Sequence, residues 1–423
     1  MGDVLFIQSV MNFIRIILFV LFPILSFSQQ RSVDYFIEKA VLNSALLEDL
    51  NNQNSAISID SLLYKASLKP QINANLFINY APVINNFGYD TALSNGQTLS
   101  GLVGFSQRII GNEQKNNQLK ALTLLKDKMS LTKKITVNDL KKAVLLQYIV
   151  TYSDHKQLVF LQQQLDLLNS ELEILKKLTQ KSIYKQTDYL LFLSTVSQQD
   201  LITLQMKQQY VNDLAVLNYL CGTNEKENIE LLKTHIELNQ LIQADESVYS
   251  KQFKINSLAI SNQRQIISNT YKPTLSLLAD AGYNSTLTVQ PYKNFGYSVG
   301  FNLSIPLYDG HQRTLQFNKN DLAQKSNIAY NTQFERQFKQ QQQQLIIKIN
   351  QNELLLQKLE NQLKINETLI TAFTKLLVSG NAIITDYVLA LNNSITIHNT
   401  IAQNNTNRLL LINEFNYWNT NEK

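Results

Sequence analysis

The sequence predicts a mainly α-helical chain built of two tandem repeats, each a long helical hairpin carrying a pair of membrane-type β-strands. Three observations predict it. Residues 297–307 alternate large apolar side chains (Tyr297, Val299, Phe301, Leu303, Ile305, Leu307) with small or polar ones (Ser298, Gly300, Asn302, Ser304). That alternation suits a strand with hydrocarbon on one side and water on the other, although a soluble sandwich strand also alternates. From Glu113 to about Lys181 there is neither Pro nor Gly, and Leu158, Leu161, Leu165, Leu168, Leu172 and Leu175 step by three and four, like the seam of a coiled coil. Landmarks also recur at a constant offset of 198 residues: Ser106 with Ser304, and Thr187-Asp188-Tyr189 with Thr385-Asp386-Tyr387. Leu158/Leu356, Leu161/Leu359, Leu165/Leu363, Leu191/Leu389 and Tyr219/Tyr417 keep the same register, which indicates a tandem duplication.

Composition agrees with long elements. The 423 residues are 44% hydrophobic and only 17% charged, and 12 Gly and 6 Pro leave little material for short turns. The formal charge of +5 is dispersed, with no Lys/Arg block of the kind nucleic acid requires. Cys221 is the single cysteine, so no intrachain disulfide is expected.

Residues 1–28 read as a signal peptide. Met11-Asn12-Phe13-Ile14-Arg15 is a short basic start, Ile16–Leu25 an apolar core, and Ser26-Phe27-Ser28 a cleavage signature. The apolar run falls short of the ~20 residues that span a bilayer, and no Cys near the cleavage site offers a lipid attachment point. Met1 and Met11 both remain candidate starts.

The first repeat, 29–221, opens with an amphipathic helix from Ser32 through Leu50 and a second from Ile59 to Leu68, closed by Lys69-Pro70. A β-hairpin follows over about 70–110, with Ile72, Ala74, Leu76, Ile78 and Tyr80 alternating against Asn73, Asn75, Phe77 and Asn79. Then come a long helix over about 113–181, on the order of 100 Å at 1.5 Å per residue, a tip, and a return helix over about 188–220. Residues 222–247 form a linker packed on the helical body. The second repeat, 248–423, brings a helix to Asn269, a hairpin over about 273–307, a long helix over about 312–378, a tip, and a return helix over about 386–415.

Two hairpins supply four strands. Open sheet edges are not tolerated in hydrocarbon, and membrane barrels begin at about eight strands, so if these strands lie in a membrane several chains must share one barrel. The lipid-facing set is then Leu76, Ile78, Val103, Phe105, Leu277, Ala279, Val299, Phe301, Leu303 and Ile305, with Asp280 turned to the lumen.

The residues that carry a family likeness are now in view. They are the duplicated unit, Lys-Pro before each hairpin (Lys69-Pro70, Lys272-Pro273), the exit Phe301-Asn302-Leu303-Ser304-Ile305-Pro306-Leu307-Tyr308-Asp309-Gly310, and the paired tips 184–190 and 380–387. Over Asp34 to about Tyr417 the chain resembles the TolC-like outer membrane efflux proteins. The resemblance implies a homotrimer whose strands form a 12-stranded transmembrane β-barrel, continued by a periplasmic α-barrel. It implies an outer membrane exit duct of a Gram-negative bacterium, joined at the tips to a periplasmic adaptor and an inner-membrane pump or ABC exporter. Tripartite efflux and type I secretion both fit, and the cargo is not implied. The tips depart from the family pattern: Ser182 stands where a Gly often leads the turn, and no Arg follows that position in either repeat.

The tip residues Ser182, Thr187, Asp188, Ser379, Gly380, Asn381, Thr385 and Asp386 are the candidate docking and tunnel-mouth set. Asp188 and Asp386 are read first as charges at helix N-termini, and second as an acidic ring. His155, His235, His311 and His398 lack ligand spacing, so no metal site is expected, and no nucleotide or hydrolase signature appears. No cofactor and no enzymatic activity are expected. Gln340–Gln344 is read as a solvated helical stretch. The competing reading is an exported coiled-coil scaffold or adhesin whose hairpins bind a partner without transport.

Overall fold

The computed structural model describes residues 30–420 except 91, 93–95, 228 and 289. The signal-peptide reading of residues 1–28 lies outside the described residues.

The chain begins with the two-residue strand β1 (Gln30–Arg31) and the helices α1 (Val33–Asn43) and α2 (Ala45–Ser67). Strands β2 (Gln71–Tyr80) and β3 (Gln97–Ile109) lead into α3 (Asn112–Gln180), a single helix of 69 residues, and α4 (Gln186–Cys221) returns. After β4 (Glu230–Leu231) the same order follows: α5 (Lys251–Thr270), β5 (Thr274–Ser285), β6 (Phe295–Ser304), α6 (Gln312–Val378) and α7 (Ile384–Trp418).

Three boundaries differ from the sequence expectation. The first helix does not run through Leu50; it breaks at Ser44, which has extended backbone and whose hydroxyl accepts from the Leu47 N–H, capping a new helix. The break is fixed from outside, because the Asn43 amide donates to the carbonyls of Cys221 (2.9 Å) and Gly222 (3.3 Å). The alternation of Leu275, Leu277, Ala279, Ala281 and Tyr283 with polar neighbours predicts a strand over 274–289, whereas β5 stops at Ser285. β6 stops at Ser304, so Ile305 and Leu307 lie beyond the strand that was expected to include them, next to Pro306, which cannot donate to a ladder.

The chain folds into two compact units. One comprises the described part of Met1–Asn43, with Leu140–Glu237 and Lys348–Asn413. Its interior has two clusters. One gathers Leu165, Leu168, Leu172 and Leu175 of α3 with Phe192 and Val196 of α4 and Tyr387, Val388 and Leu391 of α7. The other packs Phe36 and Ala40 against Val144, Tyr148, Tyr210, Leu214, Leu217 and Leu231. There β1 pairs in parallel with β4, and the Tyr148 hydroxyl donates toward the carbonyls of Arg31 (2.9 Å) and Leu232 (2.7 Å). Cys221 sits in this cluster as a buried free thiol, its pKa pushed up to about 11 by burial, which leaves it unreactive.

The other unit comprises Ser44–Asp139, Leu238–Ile347 and the described part of Glu414–Lys423. It holds the four-stranded sheet and a small aromatic core of Tyr249, Phe334, Tyr417 and Trp418 around Leu131 and Val248. Within Gln340–Gln344, Gln340, Gln343 and Gln344 are exposed as expected, and Gln342 departs from the solvated reading. Gln342 is buried, and its amide donates to Ile242 O (3.0 Å) and Asn419 Oδ1 (2.7 Å), anchoring the linker and the C-terminal segment to α6.

Candidate functional site

The sheet has the order β2-β3-β5-β6, antiparallel throughout. Its register decides which side chains share a face, because residues directly opposite in an antiparallel pair point the same way. One row reads Ile72, Phe105, Ala279, Val299; the next reads Ala74, Val103, Ala281, Tyr297. Leu76, Ile78, Leu277, Phe301 and Leu303 fall on the same face, so all the apolar wall candidates within strands lie together. The opposite face carries the row Asn73, Gly104, Asp280, Ser298, in which the Ser298 hydroxyl donates to Asp280 Oδ2 at 2.6 Å. Phe77, Leu102 and Leu278 are the apolar exceptions on this otherwise polar side.

The apolar face is bare. Ile72, Leu76, Val299 and Phe301 are each at least 70% exposed, a degree that water alone would penalise. The two hairpins are joined edge to edge by β3 and β5, so among the described residues β2 and β6 each keep one edge without a strand partner. Gly282, opposite Leu102, has φ 155°, and a Cβ there would lie 2.1 Å from the Gly101 carbonyl oxygen. Only glycine permits the two hairpins to approach at that point.

The tips belong to the other unit. α3 ends with Ser182 at φ 61°, its N–H bonded to Thr179 O (2.9 Å) and the next N–H, of Ile183, bonded to Leu178 O (3.0 Å). α6 ends identically 198 residues later: Gly380 has φ 77°, bonds Leu377 O (3.1 Å), and Asn381 bonds Leu376 O (2.9 Å). Both are left-handed helix stops, in which a 6→1 bond satisfies a terminal carbonyl. Ser182 therefore performs the glycine's turn with a side chain attached, at a modest conformational cost. Gly380 has a further reason to be glycine, since a Cβ there would lie 2.7 Å from the Ile183 side chain of the first tip.

Asp188 does what a charge at a helix start does: its Oδ2 accepts the N–H of Lys185 (3.1 Å), the residue before α4. Asp386 occupies the corresponding first turn of α7. Ser182, Thr187, Ser379, Asn381, Thr385 and Asp386 are exposed, whereas Asp188 and Gly380 are partly covered.

Three residues outside the candidate docking set organise the tips. The Tyr184 hydroxyl donates to Leu377 O (3.2 Å) and accepts the Ala382 N–H (3.1 Å), stapling one tip to the other, and burial raises its pKa. Deeper in the cluster, Tyr387 donates to Glu171 Oε1 at 2.5 Å and also meets the Thr374 hydroxyl (3.1 Å). Glu171 is 4% exposed and its Oε2 has no hydrogen-bond partner among the described residues; burial pushes its pKa upward, against the opposing effect of the Tyr387 bond. Tyr387 was visible in the repeated Thr-Asp-Tyr tripeptide, but nothing in the sequence tied it to Glu171, 216 residues away.

Among the described residues no group of His, Cys, Asp and Glu is arranged to hold a metal ion, and no helix is long and apolar enough to cross a membrane. The four histidines are dispersed: His398 packs on Phe160 (4.5 Å between rings) and His155 on Tyr210 (5.1 Å).

No protein-family model matches this sequence, and no curated protein matches it at the level of sequence. Solved structures do match the fold. The chain is similar to CusC, described for its transmembrane channel formation, at 11% identity and TM-score 0.77, covering 91% of each chain. It is similar to the outer membrane protein VceC of Vibrio cholerae at 12% identity and TM-score 0.75, covering 92% of this chain and 97% of that one. It is also similar to the MtrE outer membrane channel of Neisseria gonorrhoeae, solved in its open state, at 10% identity and TM-score 0.72, covering 91% and 88%. The chain thus has, over nine-tenths of its length, the fold of TolC-like outer membrane channels.

Proposed function

We propose that this protein is an outer membrane exit duct that conducts cargo passively from a periplasmic adaptor and an inner-membrane pump or ABC exporter. The observation that carries the proposal is the sheet: one continuous apolar face, one mostly polar face, and two strand edges without partners among the described residues. A sheet of that kind is stable in a bilayer only when neighbouring chains pair with β2 and β6 and close a barrel. Three copies of a four-stranded sheet make 12 strands, a size well within that of outer membrane barrels. The fold shared with outer membrane channels supports the same reading.

In this reading Leu76, Ile78, Val103, Phe105, Leu277, Ala279, Val299, Phe301 and Leu303 face lipid, while Asn73, Asp280 and Ser298 line a wet lumen. The helical part occupies the periplasm, and the 198-residue recurrence reflects duplication of one hairpin unit. Transport needs no catalytic group: the duct supplies a hydrated path, and the pump supplies the energy.

Assembly tests the proposal. Protein extracted from membranes should require detergent, run unboiled in SDS as a multimer, and collapse on boiling to the chain mass, at most 48.5 kDa. A scaffold or adhesin would leave the membrane with salt or alkali, and a monomeric band unaffected by heating would overturn the shared barrel.

A further inference from the structure

A cleft of about 560 Å³ opens in the helical unit between α3, α7 and the segment after β4. It belongs neither to the sheet nor to the tips. Its size falls within the ~300–1,000 Å³ of small-molecule sites. α3 and α7 contribute the apolar Ile149, Phe160, Ile401 and Leu409 to the walls, beside polar positions that include the hydrogen-bonded pair Ser153 and Thr406. The Phe160 ring lies 4.5 Å from that of His398, which burial holds below its ordinary pKa and hence neutral near pH 7.

The charges at the cleft are of one sign. Lys156 comes from α3, Lys233 from the segment after β4 and Arg408 from α7; no carboxylate is among the described lining residues, although Glu367 Oε1 lies 4.0 Å from His398 Nε2. Arg408 is already compensated: its Nε (3.1 Å) and Nη2 (2.9 Å) both donate to Glu353 Oε1. Lys156 lies 5.6 Å from the Tyr152 ring centre, and neither it nor Lys233 makes an ion pair among the described residues. Two uncompensated ammonium groups from separate elements beside a concave apolar wall complement one anionic head on an apolar body. A polyanion would need a longer basic track, and a neutral amphiphile would leave both charges without a counter-ion.

We propose that this cleft binds a small organic anion, an aryl or acyl carboxylate or sulfonate, with its head between Lys156 and Lys233 and its body against Phe160, Ile401 and Leu409. The proposal does not depend on the transport reading, and its test requires no transport.

The test is photolabelling of the full-length, detergent-extracted assembly with 4-azidobenzoate, compared with the neutral isostere 4-azidobenzamide, followed by peptide mass spectrometry. The acid should label peptides containing residues 149–160, 233–235 or 398–409, with competition by excess benzoate. It should label them at least tenfold more than the amide. Lys156→Glu with Lys233→Glu should cut labelling by the acid at least tenfold and leave labelling by the amide unchanged, with the unboiled multimer at wild-type level. If that pair fails to assemble, Lys156→Gln with Lys233→Gln removes the charge while keeping much of the stem, and should show the same preferential loss. Equal labelling by acid and amide would reduce the cleft to an apolar patch and overturn the proposal. So would labelling insensitive to both lysine pairs, or no label in these peptides because a neighbouring protomer covers the cleft.

Discussion

The hydroxyl of Tyr184 accepts the backbone N–H of Ala382 at 3.1 Å, and the two residues occupy the same position in the two tips, 198 residues apart. The bond is asymmetric because the second tip has Ala where the first has Tyr. One aromatic side chain thus crosses from its own turn to the other and also reaches Leu377 O at 3.2 Å. Tyr184→Phe keeps the ring in its cluster but leaves the buried Ala382 N–H without its partner, a cost of ~1–3 kcal/mol, while Leu377 O keeps its bond from Gly380. Limited proteolysis should then cut within 181–185 or 379–383 roughly tenfold faster, because every 1.4 kcal/mol is a factor of ten in the open population. Unchanged cleavage would mean that other contacts hold the tips together.

The wall faces give a paired prediction. Phe301 and Asn302 are sequence neighbours on opposite faces of β6, opposed by Leu277 and Ser276 respectively. Phe301→Arg would place a charge in lipid at about 2–4 kcal/mol per copy near the bilayer midplane, and repetition in every protomer multiplies that cost. The unboiled multimer should disappear for Phe301→Arg and persist for Asn302→Arg. If the two variants assemble alike, the faces are wrongly assigned.

A third prediction concerns pH. Asp154 on α3 stands beside Asp213 on α4, whose carboxylate oxygens already accept from Gln147 (2.9 Å) and Gln209. Burial first, and Asp213 second, push the Asp154 pKa up to about 7. An unfolded Asp titrates near 4, so between about pH 4 and 7 the folded state holds a proton that the unfolded state has released. Stability from this group is therefore highest at low pH, falls as pH rises to about 7, and is level above that. Glu171 shifts in the same direction. Thermal melts followed by helical circular dichroism should show Asp154→Asn flattening the decline between about pH 4 and 7. A variant with the wild-type slope would show that Asp154 is ionised throughout this range.

The sequence revealed what depends on period and spacing. Strand faces follow from alternation at period two, and the register confirms that the expected apolar residues from Leu76 to Leu303 share one side of the sheet. The long helix was visible because nothing between residues 113 and 181 can stop one. Ser44 was missed as a helix break because its cause, the Asn43 contact with Cys221 and Gly222, lies 178 residues away. Glu171 escaped for the same reason: an acid in a leucine-rich helix reads as surface until Tyr387 arrives from α7 to bind it. Ile305 was assigned to the wall because the alternation continues through it, but Pro306 ends the ladder first.

The last prediction places function at the tips. Gly380 combines a left-handed backbone (φ 77°) with a close approach to Ile183, so Gly380→Pro is incompatible with the turn on both counts. Ser379 and Asn381 flank it and are exposed, joined by an Asn381 Nδ2 to Ser379 Oγ bond of 3.3 Å, so bulky charged replacements there change the surface without entering the core. The sheet residues that would form the barrel belong to the other compact unit, and no strand includes a tip residue. Gly380→Pro, and separately Ser379→Glu with Asn381→Lys, should therefore leave the unboiled multimer at normal abundance and abolish export of cargo in the same cells. The surface pair is the cleaner test, because it spares the turn geometry: normal multimer with lost export would identify the tips as the docking and opening surface. Normal multimer with normal export would reduce them to turns and move the adaptor contact elsewhere on the helices.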